Sequence, residues 1–449
     1  MARKSRRIGA QRTRIGKVSL FLHHGAWWLY YRDGGSPRRQ RVGPNRDEAE
    51  RIAAELNAQV TASVPTMFAF EAITLRALVQ KFLGYHEHVL RSSLATINRY
   101  RSALEHLTDF APGEGAEAHR VAAAPFVAHL RSLVISPNGH PNTRKRKLRD
   151  KGLRYILEVC RTLYGFAQKN RHLPPYAPNP FAELPIDRLT VEDAKEVYVF
   201  TEATEADFLR AAPRSEFAIH ALLAKTGMRP GELCHLLIED IDLAAGWIHI
   251  RNKADLGWSI KTRNERSIPI SWELRRLLLK VLDDRIRGLV FRKPRFIPLP
   301  GQSDVDRAGL RARFELAAAS REASIGRPLT RSERQKLSER IWSEAGAIDP
   351  DRIRTSFIRI TTRIGLKDVT CPKSWRHTFA TLLQDANVDP LIRQITLGHK
   401  PRDAGNALGM TGIYTHSRPE TQAREIDRAL RLWPGSLELV ARWAEGKPL

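Results

Sequence analysis

Arg229, Arg376, Lys261, His399 and Tyr414 stand at the ends of separate segments in the second half of this 449-residue chain. Together they form a set that can work on a phosphate ester. Two guanidinium groups can share the equatorial oxygens of one phosphoryl group through forked hydrogen bonds. A tyrosine is a competent nucleophile once its proton is removed, and a lysine can hand a proton to a departing alkoxide. The sequence presents no acidic cluster of the kind that holds two metal ions, so no metal ligands are assigned. Charge neutralisation must then come from cations of the protein itself. No G-x-G-x-x-G or Walker A loop occurs, which argues against ATP- or NAD-dependent chemistry, and no cofactor is expected.

The element that carries Arg376 is Cys371-Pro372-Lys373-Ser374-Trp375-Arg376-His377-Thr378-Phe379-Ala380-Thr381. Pro372 lacks an N–H and suits a helix start. Trp375, Phe379, Leu382 and Leu383 recur at one-turn spacing and predict a buried face with Arg376 beside it. A second helix is predicted with Asp389 as cap, Pro390 in the first turn, Leu391, Ile392 and Ile395 inward, and Gly398 as the stop. His399 emerges where that helix ends, and Tyr414 lies beyond a Gly-containing connection able to carry a mobile nucleophile. Upstream, Thr201 caps a helix through Leu209, and a helix over Phe217–Ala224 ends at Gly227. Arg229 precedes Pro230 in a turn that opens a helix, where backbone N–H groups favour anions. Glu232 is one turn on and can pin the guanidinium. Trp247–Arg251, Trp258–Thr262 and Arg266–Ile270 predict three short strands. Lys261 falls near the tip of the last hairpin, whose turn is Arg263-Asn264-Glu265, and a helix over Glu273–Leu282 follows. Residues 291–348 read as a long basic insert with a helical piece near Ala308–Ala323. The C-terminal helical stretches, Gln422–Leu432 and Ser436–Trp443, are expected to dock on a neighbouring copy.

The length allows two or three domains and a sizeable core. With 74 Lys+Arg against 49 Asp+Glu, the net charge is +25, which favours a polyanionic partner, nucleic acid being the commonest. Cys160, Cys234 and Cys371 include no CxxC pair, which fits a reducing compartment and argues against a disulfide frame or thiolate zinc site. No apolar run approaches membrane-spanning length, and no apolar region follows the basic N-terminus, so neither a membrane nor a secretory route is expected. Residues 1–64 read as a small β-rich module. Lys17–Leu22, Trp27–Tyr31 and Arg39–Val42 are strand candidates, Asp33-Gly34-Gly35 is a tight turn, and a helix spans Asp47–Val60. Arg38, Arg39 and Arg41 on the front of this sheet, with the leader Arg3, Lys4, Arg6 and Arg7, suit docking onto DNA. Ala62–Phe70 reads as a linker. Residues 70–185 carry four apolar stripes at helical spacing, which predicts a bundle. The run Arg144, Lys145, Arg146, Lys147, Arg149 and Lys151 precedes its fourth helix and suits contact with a phosphate backbone. Pro174, Pro175, Pro178 and Pro180 mark the boundary, and residues 196–449 form the last domain. The fold class is mainly α with small β-sheets (α+β).

Thr226-Gly227-Met228-Arg229-Pro230-Gly231-Glu232-Leu233, Lys261-Thr262-Arg263-Asn264-Glu265-Arg266-Ser267-Ile268-Pro269, Trp375-Arg376-His377-Thr378-Phe379-Ala380-Thr381, Leu397-Gly398-His399 and Ile413-Tyr414-Thr415-His416 resemble the motifs of the tyrosine recombinase (phage integrase) family, in that family's order. The upstream bundle looks like the family's core-binding domain, the N-terminal module like its arm-site-binding domain, and the last domain like its mixed α/β catalytic domain. The resemblance implies that Arg229, Arg376 and His399 hold the scissile phosphate and that Glu232 orients Arg229. Tyr414 would attack to give a 3′-phosphotyrosyl link, and Lys261 would protonate the leaving 5′-oxygen. It further implies double-stranded DNA as partner, a homotetramer on two duplexes, accessory DNA-bending proteins, and a nucleoid-associated place in the cytoplasm of a prokaryote. Two departures stand out. Lys373 occupies the first position of the family's His-x-x-Arg, and an ammonium donates but cannot accept a proton, so Lys373 serves as a phosphate ligand and the group that takes the tyrosine proton stays open. The connection from His399 to Tyr414 is also longer than the family's common one, which permits Tyr414 to act in cis or in trans. A DNA-binding protein impaired by Lys373 would bind without forming an adduct, and a type IB topoisomerase would relax plasmids without a cognate site.

Overall fold

The computed structural model describes residues 12–136, 142–189, 191, 196–294, 296, 305–399 and 418–449. The chain divides into two compact units, Met1–Lys195 and Glu196–Leu449. The fold is α+β, with helices predominating around small antiparallel sheets.

The first unit begins with a four-stranded meander, β1 (Arg12–Ile15), β2 (Val18–His23), β3 (Ala26–Asp33) and β4 (Ser36–Gly43), in sequential order. Gly34 and Gly35 both take positive φ in the two-residue turn between β3 and β4, the backbone that a tight hairpin demands. Helix α1 (Arg46–Thr61) lies behind the sheet, its first turn capped by Asn45. Trp27, Leu29 and Tyr31 alternate inward and meet Ala49, Ala53 and Leu56 of α1. The edge strand β1 was not expected, since its short basic sequence lacks the aromatic pattern of β2 and β3. Arg39 pairs opposite Tyr30 and Arg41 opposite Trp28, on the outward face, whereas Arg38 pairs opposite Tyr31, whose side chain is buried on the helix side. The two-residue period of the pleat thus separates Arg38 from the front face expected for it. The leader Arg3, Lys4, Arg6 and Arg7 lies outside the described residues. The segment read as a linker is pinned. Gln59 accepts from Met67 N at 2.7 Å, and Tyr176 donates to the Pro65 carbonyl at 2.6 Å.

Helices α2 (Leu75–Gly84), α3 (Leu94–Phe110), α4 (Ala123–Ser132) and α5 (Asp150–Lys169) share a second core built on Leu78, Phe82, Leu104, Phe126, Leu157 and Tyr164. Thr74 and Ser93 cap α2 and α3. Arg146–Lys147, inside the basic run, forms strand β6 and pairs with β5 (Val134–Ile135) in a short ribbon between α4 and α5. Arg144, Lys145, Lys147, Arg149 and Lys151 are exposed and Arg146 is half-buried.

The second unit is built on α6 (Glu202–Ala211), α7 (Arg214–Thr226), α8 (Pro230–Cys234), α9 (Trp272–Leu282), α10 (Arg307–Ile325), α11 (Arg331–Glu344), α12 (Pro350–Arg363), α13 (Lys373–Asp385), α14 (Pro390–Leu397), α15 (Pro419–Leu430) and α16 (Pro434–Ala444). Its sheet is β7 (Ile241–Asp242), β8 (Trp247–Ile250) and β9 (Arg266–Pro269), all antiparallel. Trp375 is fully buried at the centre, stacked on Phe200 at 4.1 Å and edge-on to Phe208 at 4.8 Å.

One expectation fails here. Trp258–Thr262 is not a strand, because Lys253 turns inward to Asp240 (2.8 Å) and Trp258 stacks on His235. A single bridge between Lys253 and Trp258, with Gly257 in the left-handed region, closes the loop instead. The C-terminal helices bury their apolar faces within their own unit. Ile426, Leu430 and Leu437 pack on Phe379 and Leu383, and Trp443 stacks on Phe217. Those apolar faces are covered within the chain itself.

Lys225, fully buried, pairs with Glu205 and donates to Ser436 Oγ at 2.5 Å, tying α6, α7 and α16 together. Removing one member of such a pair strands a buried charge. Glu205→Leu is expected to lower the stability of the folded chain by about 3–5 kcal/mol in urea unfolding, and Lys225→Met added to it to recover most of the loss.

Candidate active site

The site begins at the α7–α8 junction. Gly227 ends α7 at φ +61°, and a Cβ built there would sit 2.5 Å from Phe379 Cδ1. Only glycine permits both the backbone and the close approach of α13. Pro230 then opens α8, leaving Arg229 at its N-cap. Glu232, in the first turn, accepts from Arg229 N and from Arg229 Nη1, both at 2.8 Å.

The same carboxylate is gripped from the other side by Arg266 of β9, through Nη1 (3.1 Å) and Nη2 (2.7 Å), while Arg266 Nε donates to the Thr396 carbonyl at 2.9 Å. Gly398, at φ +67°, lies against this guanidinium, and a Cβ there would stand 2.8 Å from Arg266 Cδ. Arg376 reaches across from α13. Its Nη1 donates to the Gly227 carbonyl at 2.9 Å, and its Nη2 donates to the Leu397 carbonyl and meets His399 Nε2 at 3.1 Å. Four segments distant in sequence, α8, β9, α13 and the end of α14, are thereby locked into one cluster. Helix α15 adds a further tie, since Gln422 Nε2 donates to the Ser267 carbonyl (3.1 Å) and to Thr396 Oγ1 (3.0 Å).

Two guanidinium groups grip one carboxylate, and a third, that of Arg376, lies near enough to feel their charges. Burial opposes the charge of Glu232, but the hydrogen bonds and charges of Arg266, then Arg229, hold its carboxyl below the usual range. Arg376 feels burial first and then the charges of Arg229 and Arg266, with Glu232 opposing; its pKa is pushed down to about 9. It remains charged at neutral pH but is held at a cost that a bound anion would relieve. Partial desolvation, followed by the charges of Arg376, Arg229, Arg266 and Lys373, lowers the pKa of His399 below 6.5. An arginine can only donate, so the contact with Arg376 makes Nε2 of His399 the acceptor and places the proton of the neutral ring on Nδ1. Arg229 keeps 23% of its side chain exposed against 1% for Arg266. Arg229 is therefore the guanidinium open to solvent, and Arg266 is the one that holds it through Glu232.

Among the residues anticipated from sequence, the structure brings Arg229, Glu232, Arg376 and His399 together. Lys373 is exposed on the first turn of α13, and its charge bears on both His399 and His377. Lys261 is exposed in the β8–β9 loop, and its neighbour Thr262 donates to the Gly398 carbonyl at 3.4 Å. Tyr414 lies outside the described residues. Arg38, Arg39, Arg41 and the Arg144–Lys151 run belong to the first unit. Arg266 was missed, although a signal existed. Arg266, Ile268 and Ile270 alternate along one strand, which puts an arginine on the face of two isoleucines. Among the described residues no group of three or more His, Cys, Asp or Glu side chains could hold a metal ion, and no helix is long and apolar enough to cross a membrane.

Residues 188–421, more than half of the chain, match the model of the phage integrase family. The chain is 23% identical over 345 residues to tyrosine recombinase XerC of Halalkalibacterium halodurans, covering 75% of this chain and 92% of that protein. It is 24% identical over 343 residues to XerC of Thermodesulfovibrio yellowstonii, covering 75% and 91%. Among solved structures, the Tn1549 transposon integrase (residues 82–397) in complex with circular intermediate DNA superposes with a TM-score of 0.50 at 17% identity, over 79% of this chain and 99% of that one. At that identity the likeness concerns the fold.

The bidentate geometry at Arg266 sets a test. Lysine supplies one point of attachment where the guanidinium supplies a fork. Arg266→Lys is expected to lose stability in urea unfolding nearly as Arg266→Ala does, by about 3–5 kcal/mol, because both leave Glu232 and the Thr396 carbonyl poorly satisfied.

Proposed function

The chain belongs to the phage integrase family, and from that premise we propose that it is a site-specific tyrosine recombinase that cleaves and rejoins duplex DNA to integrate or excise a mobile element. The observation that carries this reading is the cluster in which Glu232 holds Arg229, while Arg376 stands near enough to feel the charges of Arg229 and Arg266 and meets His399 at 3.1 Å. The outcome is an anion site with more cations than the protein's own carboxylate can neutralise.

In this mechanism Arg229 and Arg376 bind the nonbridging oxygens of the scissile phosphate and stabilise the extra charge that develops on them in the transition state. Lys373 adds a further cationic ligand. Phosphate draws the N–H groups of Arg376, freeing Nε2 of His399 to take the proton of Tyr414. The tyrosine oxygen attacks phosphorus as the bond to the 5′-oxygen breaks, and Lys261 gives that oxygen a proton. The 3′-phosphotyrosyl bond keeps the energy of the phosphodiester, so a 5′-hydroxyl from another strand reverses the step without a nucleotide. Arg39 and Arg41 of the sheet and the exposed cations of Arg144–Lys151 contact phosphates of the flanking duplex, which makes affinity fall with salt. The working assembly is a tetramer on two duplexes, with accessory DNA-bending proteins, on the nucleoid of a prokaryotic host. Residues 1–64 serve as the arm-site module and 70–185 as the core-binding domain.

The test uses nicked duplexes that carry the junction sequences flanking the gene. The wild type is expected to form a covalent protein–DNA adduct and Tyr414→Phe to form none; an adduct persisting in that variant rules out Tyr414 as nucleophile. The pH dependence follows from His399. A histidine with a depressed pKa is neutral above it and gains a proton as pH falls through it. Adduct formation should thus hold its rate down to about pH 6.5 and decline only at lower pH. Lys373→Met, which removes one of the charges depressing His399, should move that decline upward. A pH profile that Lys373→Met leaves in place would assign the proton to another group.

A further inference from the structure

The helical pair inside the 291–348 insert buries its apolar side against the loop that carries Lys261. Leu310 and Phe314 of α10 and Ile341 and Trp342 of α11 enclose Leu256, together with Leu237 and Leu289, in a core separate from the main one. The polar contacts have the same target. Trp342 Nε1 donates to the Leu256 carbonyl at 3.0 Å, and Ser338 Oγ donates to that same carbonyl. Arg307 grips Asp255 with two hydrogen bonds, 3.1 and 2.7 Å. Gly257, at φ +68°, leaves no room for a side chain, since a Cβ there would lie 2.5 Å from Ser338 Oγ.

The loop passes this restraint on. Lys253 and Trp258 exchange backbone hydrogen bonds at 3.1 Å, Asn252 Oδ1 accepts from Ile260 N at 2.9 Å, and Thr262 reaches the Gly398 carbonyl. Lys261 therefore sits between two fixed neighbours while its own side chain is exposed. Trp342 also meets the edge of His235 at 4.8 Å, and His235 stacks on Trp258 at 4.8 Å and contacts the Gly231 carbonyl at 2.8 Å. Helix α8, which positions Arg229, and the Lys261 loop thus share one buttress. Several of the insert's cations are paired within it, Arg327 to Glu333, Arg340 to Glu344 and Arg334 to Glu315 and Glu322. Its polar surface is spoken for internally to that extent, and its buried surface points to the loop.

We propose that the insert is an internal brace for the cleavage step, with Trp342 and Ser338 as positioning residues that set Lys261 against the leaving 5′-oxygen. The inference rests on the recombinase reading and adds a role that the motifs do not assign.

Two nicked duplexes separate the brace from mere stability: one with the ordinary bridging 5′-oxygen at the scissile phosphate, the other with sulfur in its place. A thiolate leaves without needing a proton, so the sulfur duplex bypasses the general acid. Trp342→Phe combined with Ser338→Ala keeps the packing and strips the Leu256 carbonyl of both donors. It is expected to slow adduct formation on the oxygen duplex by about 10- to 100-fold, the effect of a misplaced catalytic group, and to react with the sulfur duplex at the wild-type rate. Asp255→Asn should show the same split, and Lys261→Ala a larger one. Equal slowing on both duplexes would reduce the brace to a structural element, and no slowing on either would remove it. Lack of rescue for Lys261→Ala would also overturn the proposal. An absence of adduct with the wild type on either duplex strikes the recombinase reading itself, an outcome distinct from all of these.

Discussion

A single carboxylate holds the site together. Glu232 accepts hydrogen bonds from Arg229 on one side and Arg266 on the other, with only 2% of its side chain exposed. A lone buried carboxylate would be neutral, and the two guanidinium groups without it would repel each other. Each charge is tolerable because the others are there. The arrangement fixes Arg229 through two atoms of one acid and ties α8 to β9. Through Arg266 Nε and the Thr396 carbonyl, it also sets the end of α14, where His399 emerges.

The charge count then explains the chemistry. Arg376 brings a further guanidinium, satisfied by backbone carbonyls of Gly227 and Leu397 and by a histidine ring. Carbonyls accept hydrogen bonds without cancelling the charge. The cluster is therefore structurally complete but electrostatically open, and its pKa shifts, Arg376 and His399 downward, report excess positive charge. A phosphodiester is the kind of group that would close it. Preorganised donors of this type stabilise developing charge without having to reorient during the reaction.

Much of this was legible in sequence, and the exceptions have physical causes. The caps Thr201 and Asp389, the stops Gly227 and Gly398, and the buried stripe of Trp375, Phe379, Leu382 and Leu383 follow local rules, and the structure has them. Arg229 and Arg376, 147 positions apart, could be linked only through motif order, because local periodicity says nothing of long-range contacts. Arg266 escaped notice because a charged residue is by default assigned to the surface, while its partner Glu232 lies 34 residues away. Trp258–Thr262 looked β-like from composition, but a buried Lys253–Asp240 pair and a His235–Trp258 stack outweigh strand propensity there. The C-terminal helices were amphipathic, which announces a burial partner without saying whose; Phe217 and Phe379 of the same chain provide it.

On the reading proposed above, Arg229 and Arg376 close on one DNA phosphate whose geometry Glu232 and Arg266 set in advance. A crystal structure of the Tyr414→Phe protein on a duplex carrying its junction sequence measures this directly. Both guanidinium groups should lie within about 3.2 Å of nonbridging oxygens of the same phosphate, with the Glu232 contacts unchanged. Guanidinium groups bound to two different phosphates, or a Glu232–Arg266 pair broken by DNA, would contradict it.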